Sequence, residues 1–124
     1  MSPQEAAASG RELGGWGEDL AARHMESLGM VILARNWRCR AGEIDIIALD
    51  EGTLVVCEVK TRTTDAFGTP LASVTPVKLR RLRRLAAEWL AVSAIRVRDI
   101  RFDVVGILTT RDGEPLLEHL RGVA

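Results

Sequence analysis

The fold turns on the stretch Gly42-Glu43-Ile44-Asp45-Ile46-Ile47-Ala48-Leu49-Asp50-Glu51-Gly52-Thr53-Leu54-Val55-Val56-Cys57-Glu58-Val59-Lys60. Two apolar runs, Ile44 to Leu49 and Leu54 to Val59, flank the turn signal Asp50-Glu51-Gly52 and read as a β-hairpin. Asp45, Glu58 and Lys60 interrupt these runs, and such charges are costly in buried strands unless they are paired or bind something. Register decides whether they meet. A loop of Glu51 and Gly52 alone pairs Asp50 with Thr53 and, counting back, sets Asp45 opposite Glu58. A longer loop that closes on Leu49 and Leu54 gives the same pairing. Opposed residues share a face with Cβ atoms about 5 Å apart. Lys60, two residues beyond Glu58, points the same way. An odd-numbered loop without a bulge would instead separate the carboxylates.

Upstream, Met30 to Ala34 is a short strand, and Arg35 to Arg40 continues extended into the hairpin. Before it, Leu13 to Leu28 has helical periodicity, with Leu13, Trp16, Leu20, Ala21, His24 and Met25 on one arc and Gly29 as a C-cap. Trp16 is expected in the core. Glu18 falls at the edge of that arc. It reads either as a boundary carboxylate half in solvent or as one aimed along the core edge at a neighbouring site. Downstream, residues 61–75 read as a loop, and Thr75-Pro76 opens a second helix with Thr as N-cap and Pro in the first turn. Leu79, Leu82, Leu85, Ala86 and Trp89 form its buried stripe, up to about Ala91. Lys78 lies within that stripe, where it either snorkels out or reaches an anion near the helix start. Ile95 to Val97 and Ile100 to Leu108 are strand-like, Arg111-Asp112-Gly113 is a turn, and residues 115–120 form a last edge strand or short terminal element. The order α-β-β-β-α-β predicts an α/β fold, a mixed β-sheet flanked by helices. It fills one domain over residues 12–120, with a flexible tail over residues 1–11.

Composition narrows the function classes. The 124 residues suit one domain with a real core. Seventeen basic and seventeen acidic residues balance, so overall charge does not advertise nucleic-acid binding, although Arg35 to Arg40 and Lys78 to Arg84 are locally basic. Two cysteines without a CxxC spacing or a histidine cluster argue against a zinc site, and Cys57 reads as a small buried hydrophobe. His24 and His119 have no partner at ligand spacing and are not assigned a catalytic role. No apolar run approaches membrane-spanning length and no secretory leader is recognisable, so the default is a cytoplasmic protein with reduced thiols.

Two neighbouring carboxylates repel unless a proton or cation stands between them. Mg²⁺ (or Mn²⁺) suits that position, since such ions take oxygen ligands and usually keep waters and substrate phosphates. A lysine beside them would orient a nucleophilic water or neutralise charge on a phosphate. The competing reading is an internal ion pair of Lys60 with Glu58 or Asp45. Two acids against one base leave a negative charge that a simple pair does not explain.

Gly17-Glu18, Arg35-Asn36, Gly42-Glu43-Ile44-Asp45, Glu58-Val59-Lys60 with Arg62, Phe67-Gly68, Lys78 and Arg101-Phe102-Asp103, in this order, resemble the YraN family of small bacterial proteins. The resemblance covers about residues 12–120. That family is similar to the PD-(D/E)XK nuclease superfamily, notably archaeal Holliday junction resolvases. The resemblance therefore implies a restriction endonuclease-like core and a metal-dependent endonuclease site acting on DNA, branched or otherwise structured, in a homodimer. It implies that Asp45 and Glu58 are metal-binding acids, that Lys60 is the motif lysine, and that Glu18 completes the site. Ile44 stands where the nominal motif has proline, a position at which the superfamily varies. The alternative function is a non-catalytic module that binds nucleic acid or a partner on the same fold.

The remaining cations are candidates for phosphate contacts. Arg62 follows the motif lysine. Arg81 and Arg83 flank the buried stripe of the second helix, whereas Arg80 and Arg84 face solvent. Arg38 lies beside Trp37, which either stacks on a base or fills the core.

Overall fold

The computed structural model describes residues 10–63, 74–109 and 113–123, with side-chain surroundings in the first helix from Gly15 onward. The elements are α1 (Gly10–Ser27), β1 (Val31–Cys39), β2 (Gly42–Asp50), β3 (Thr53–Arg62), α2 (Pro76–Ser93), β4 (Asp99–Leu108) and β5 (Leu116–Leu120). Among the described residues they build a five-stranded mixed sheet in the order β1-β2-β3-β4-β5, antiparallel except for the parallel β3–β4 pair. The tail expected over residues 1–11 lies, up to residue 9, outside the described residues. So do Phe67, Gly68, Arg111 and Asp112.

The hairpin closes through the short loop. Asp50 pairs with Thr53, and Glu51 and Gly52 have φ of 48° and 88°. Positive φ at both central positions defines a turn whose twist matches that of the flanking strands, and glycine at the second supplies it without steric cost. The hairpin strands alternate between two cores. Ile46, Ala48, Val55 and Cys57 pack with Ala21, Ala22 and Met25 of α1, while Ile47, Leu54 and Val56 pack with Leu82, Leu85, Ala86 and Trp89 of α2. A helix thus covers each face of the sheet.

The start of α2 follows the local sequence. Thr75 is extended, its hydroxyl accepts the Lys78 N–H at 3.1 Å, and Pro76 occupies the first turn. This cap fixes the direction in which Lys78 leaves the helix. The expected strand at Ile95–Val97 does not form. Ala94 takes left-handed φ of 59° and donates its N–H to Leu90, and β4 begins only where Asp99 pairs with Thr53. Residues 95–97 precede the edge of the hairpin and have no strand to pair with. Trp16 also departs from expectation: it is 39% exposed, while the adjacent Gly17 is the residue turned to the sheet.

Further along, α1 approaches β3 closely. A Cβ built on buried Gly17 would stand 1.9 Å from Thr61 Oγ1 and 3.1 Å from Thr61 Cβ. Threonine is stiff at χ1, so it yields poorly. Gly17→Ala should therefore destabilise the fold by about 1–3 kcal/mol, measured by urea unfolding. An unchanged midpoint would mean that α1 is not seated on β3 at this point.

A second anchor ties β4 to β5 and to the end of β2. Asp103 of β4 is buried and accepts from Arg101 (2.9 and 3.1 Å), His119 Nε2 (2.8 Å) and the Gly122 N–H (3.1 Å). Arg101 also reaches Asp50 at 3.1 Å. Burial alone would raise the Asp103 carboxyl pKa, but these donors outweigh it and hold the group below its ordinary value.

Candidate functional site

The β2–β3 ladder runs from Asp50↔Thr53 to Ile46↔Cys57 and stops one residue short of Asp45 and Glu58. On the other side, β1 pairs with β2 at Arg35↔Ile46 and Trp37↔Ile44, skipping Asn36 and Asp45. Asn36 has φ of 52° there. β2 therefore loses strict alternation at Asp45, with Ile44 and Ile47 both on the α2 side and Ile46 on the α1 side. The Asp45 carboxylate uses this break to accept the Val59 N–H at 2.8 Å, in place of a ladder carbonyl.

As a result Asp45 lines cavities on both sides. One, of about 540 Å³, is also lined by Gly15, Glu18, Asn36, Arg38, Glu43 and Val59. The other, of about 100 Å³, is lined by Glu58, Lys78 and Arg81 among others. Glu18 is buried, and its Oε1 accepts from Arg35 Nε at 2.9 Å and Asn36 Nδ2 at 2.8 Å. Glu18 is thus not a boundary carboxylate half in solvent, and it lines the same cavity as Asp45. Arg35 and Asn36 were missed as its holders, since neither spacing nor periodicity connects β1 to α1.

Glu58 gathers two ammonium groups. Lys60 Nζ lies 3.3 Å from Glu58 Oε1, and Lys78 Nζ contacts the same oxygen. The other oxygen, Glu58 Oε2, is buried with no hydrogen-bond partner among the described residues. The inward placement of Lys78 thus ends at a carboxylate. Arg81 is exposed but lines the smaller cavity. Arg83 lies apart from both cavities, its guanidinium 5.9 Å from the Phe102 ring centroid. Arg38 pairs with Glu43 at 3.0 Å on the surface. Arg62 ends β3 with Nε buried and no hydrogen-bond partner among the described residues. Trp37 packs against the α2-side core.

Burial, aided by the charges of Glu58, Glu18 and Glu43 and opposed by the Val59 hydrogen bond, raises the Asp45 carboxyl to about 6. Because the folded value exceeds the unfolded one of 3.8, the folded chain gains stability from holding this proton. That gain is complete below about pH 4 and disappears as pH rises through 6. Without divalent ions, Asp45→Asn should therefore be more stable than wild type at pH 7.5, by about 2 kcal/mol, and lose this advantage near pH 4. Denaturant unfolding at both pH values checks it. A variant less stable at pH 7.5 would mean that the charged form is already compensated.

Among the described residues no three His, Cys, Asp or Glu side chains group closely enough to hold an ion. The fit to Mg²⁺ or Mn²⁺ rests instead on two carboxylates: Asp45, whose charge is poorly tolerated, and Glu58, with a buried oxygen lacking a donor. Ions of this kind commonly bind through one or two carboxylates and complete their shell with water and phosphate. The donor set fits.

Fold and site together define a small mixed α/β protein with an acidic centre, faced by lysines, where its central hairpin opens. The chain belongs to the UPF0102 (YraN) family, whose model, described as "Uncharacterised protein family UPF0102", matches residues 17–107. It is similar to a UPF0102 protein of a Nocardioides species, 52% identical over 123 residues and 99% of each chain. It is also similar to one from Acidothermus cellulolyticus, 55% identical over 126 residues, 93% of this chain and 96% of the relative. A third, from Streptomyces griseus, is 54% identical over 113 residues, 90% and 95% of the two chains. No helix among the described residues is long and apolar enough to cross a membrane.

Proposed function

We propose that this protein is a Mg²⁺-dependent endonuclease that hydrolyses phosphodiester bonds in DNA of branched or otherwise structured form, on a restriction endonuclease-like core of the PD-(D/E)XK type. The observation that carries the reading is the position of Asp45 at the break in the sheet, between Glu18 on one side and Glu58 on the other. Asp45 and Glu58 would hold the ion, and Glu18, fixed by Arg35 and Asn36, would turn its second oxygen to the same cavity as Asp45. A bound Mg²⁺ or Mn²⁺ supplies Lewis-acid polarisation of the phosphate and a lowered pKa for the attacking water. Lys60 and Lys78 place positive charge beside Glu58, where an incoming phosphate would take over part of their pairing. Arg62 and Arg81 extend that cationic surface, with Arg38 and Arg83 further out.

The test is a cleavage screen over linear, flapped and four-way DNA, and RNA, with Mg²⁺ and Mn²⁺. Cleavage of at least one substrate, lost in Asp45→Ala with the circular dichroism spectrum unchanged, is the expected result. No cleavage of any substrate by wild type would overturn the enzyme reading.

One observation favours a second reading, a non-catalytic nucleic-acid-binding module. Arg80, Arg81, Arg83 and Arg84 are all exposed on α2, while Glu58 is already paired with two lysines. Salt-sensitive DNA binding that survives Asp45→Ala, without cleavage by wild type, would select it.

A further inference from the structure

His24 of α1 and His119 of β5 are separated by 95 residues, yet His24 Nε2 lies 3.1 Å from His119 Nδ1. The rings meet edge to face, with centroids 5.1 Å apart and planes at 76°. His119 is held from its far side by Asp103 at 2.8 Å, and Asp103 is in turn held by Arg101 and the Gly122 N–H. An ionised carboxylate only accepts, so His119 Nε2 carries the proton and Nδ1 presents its lone pair to His24. The His24 Nε2–H donates to it.

We propose that His24 and His119 form a two-imidazole binding site for a Zn²⁺-type transition ion, separate from the Asp45–Glu58 centre. Imidazole nitrogens bind zinc at about 2.0–2.1 Å, so two on a tetrahedral ion stand about 3.3 Å apart. The observed 3.1 Å is close to that separation, and loading turns the rings so that both lone pairs converge on the ion instead of on each other. On binding, the ion takes the place of the shared proton, and His24 moves its own ring proton from Nε2 to Nδ1. Both rings then stay neutral and both lone pairs face the ion. The Asp103–His119 contact is the carboxylate–histidine arrangement that orients metal-binding imidazoles and raises their basicity. His119 is 7% exposed and rigid, whereas half-buried His24 leaves the solvent side open for water ligands. Arg121 adds a positive charge near His24 and opposes loading, while buried, ionised Asp103 offsets it. His24 is six residues along α1 from Glu18, about 9 Å of helix rise, so the two sites share no ligand.

The experiment is calorimetric titration of the full chain with Zn²⁺, with millimolar Mg²⁺ present. Wild type, Glu58→Ala and Cys39→Ser should each bind a single equivalent at micromolar Zn²⁺. His24→Ala, which leaves the Asp103 anchor intact, should bind at least about tenfold more weakly with an unchanged melting profile. Equal affinity in His24→Ala, loss of binding in Glu58→Ala or Cys39→Ser, or no binding by wild type would each overturn the proposal. Loss in Glu58→Ala would assign the ion to the carboxylate centre instead, so the two sites are read apart.

Discussion

Asp103→Ala should lower the stability of the fold by about 3–5 kcal/mol, enough to reduce the melting temperature by roughly 10–20 °C. Four donors converge on this carboxylate: two nitrogens of Arg101, His119 Nε2 and the Gly122 N–H. Its side chain is fully shielded from solvent, and Arg101 is only 22% exposed. Removing the acid leaves a largely buried guanidinium with Asp50 alone, and takes away the acceptor of His119 in β5 and of the Gly122 N–H just beyond it. The cost is dominated by the charge left behind rather than by the lost pair itself. The effect should be pH-dependent. Because the folded Asp103 pKa lies below its unfolded value, its contribution is full above about pH 4 and is lost as pH falls through the folded value. Wild type and Asp103→Ala should therefore converge under strongly acidic conditions. Chemical denaturation across pH measures this, and a loss under 1 kcal/mol at pH 7 would show that the network is not load-carrying.

Glu58→Ala should separate binding from chemistry. It removes a proposed metal ligand, so Mg²⁺-dependent cleavage should drop by at least about two to three orders of magnitude. It also frees two ammonium groups, Lys60 and Lys78, from the one carboxylate oxygen that both contact. Freed cations are available to phosphates. DNA affinity should rise, and the dependence of log K on log salt should steepen by up to about 0.9 for each lysine recruited. Filter binding at several salt concentrations, beside the cleavage rate, reads both. Weaker binding with an unchanged salt slope would mean that the lysines serve only the ion pair.

How far the sequence predicts this molecule depends on the range of the interactions. The place and register of the hairpin were legible because both loop lengths open to Asp50-Glu51-Gly52 give the same pairing, and the Thr75-Pro76 cap because both residues act locally. The inward position of Lys78 followed from helical angle alone. The break at Asp45 did not, because it involves the neighbouring strand, where Asn36 has positive φ opposite it, and no strand periodicity records that. Counting register gives the pairs from Asp50↔Thr53 to Ile46↔Cys57, but the expected next pair, Asp45 with Glu58, does not form because the ladder ends before it. His24 and His119 read as partnerless because their contact exists only once β5 lies beside β4 over α1. The apolar arc of α1 places Trp16 in the core, but which side of a broad arc meets the sheet is a property of the whole assembly.

The most direct test of the central claim is Mn²⁺ binding to the Asp45–Glu58 pair, followed by electron paramagnetic resonance across pH. Wild type should bind a single ion at millimolar concentration or below, with affinity falling as pH drops through about 6, where Asp45 takes up its proton. Asp45→Asn and Glu58→Ala should each abolish that binding while His24→Ala leaves it intact. Absence of Mn²⁺ binding by wild type, or equal binding by Glu58→Ala, would contradict the claim and leave Asp45, Glu58, Lys60 and Lys78 as an ion-pair network.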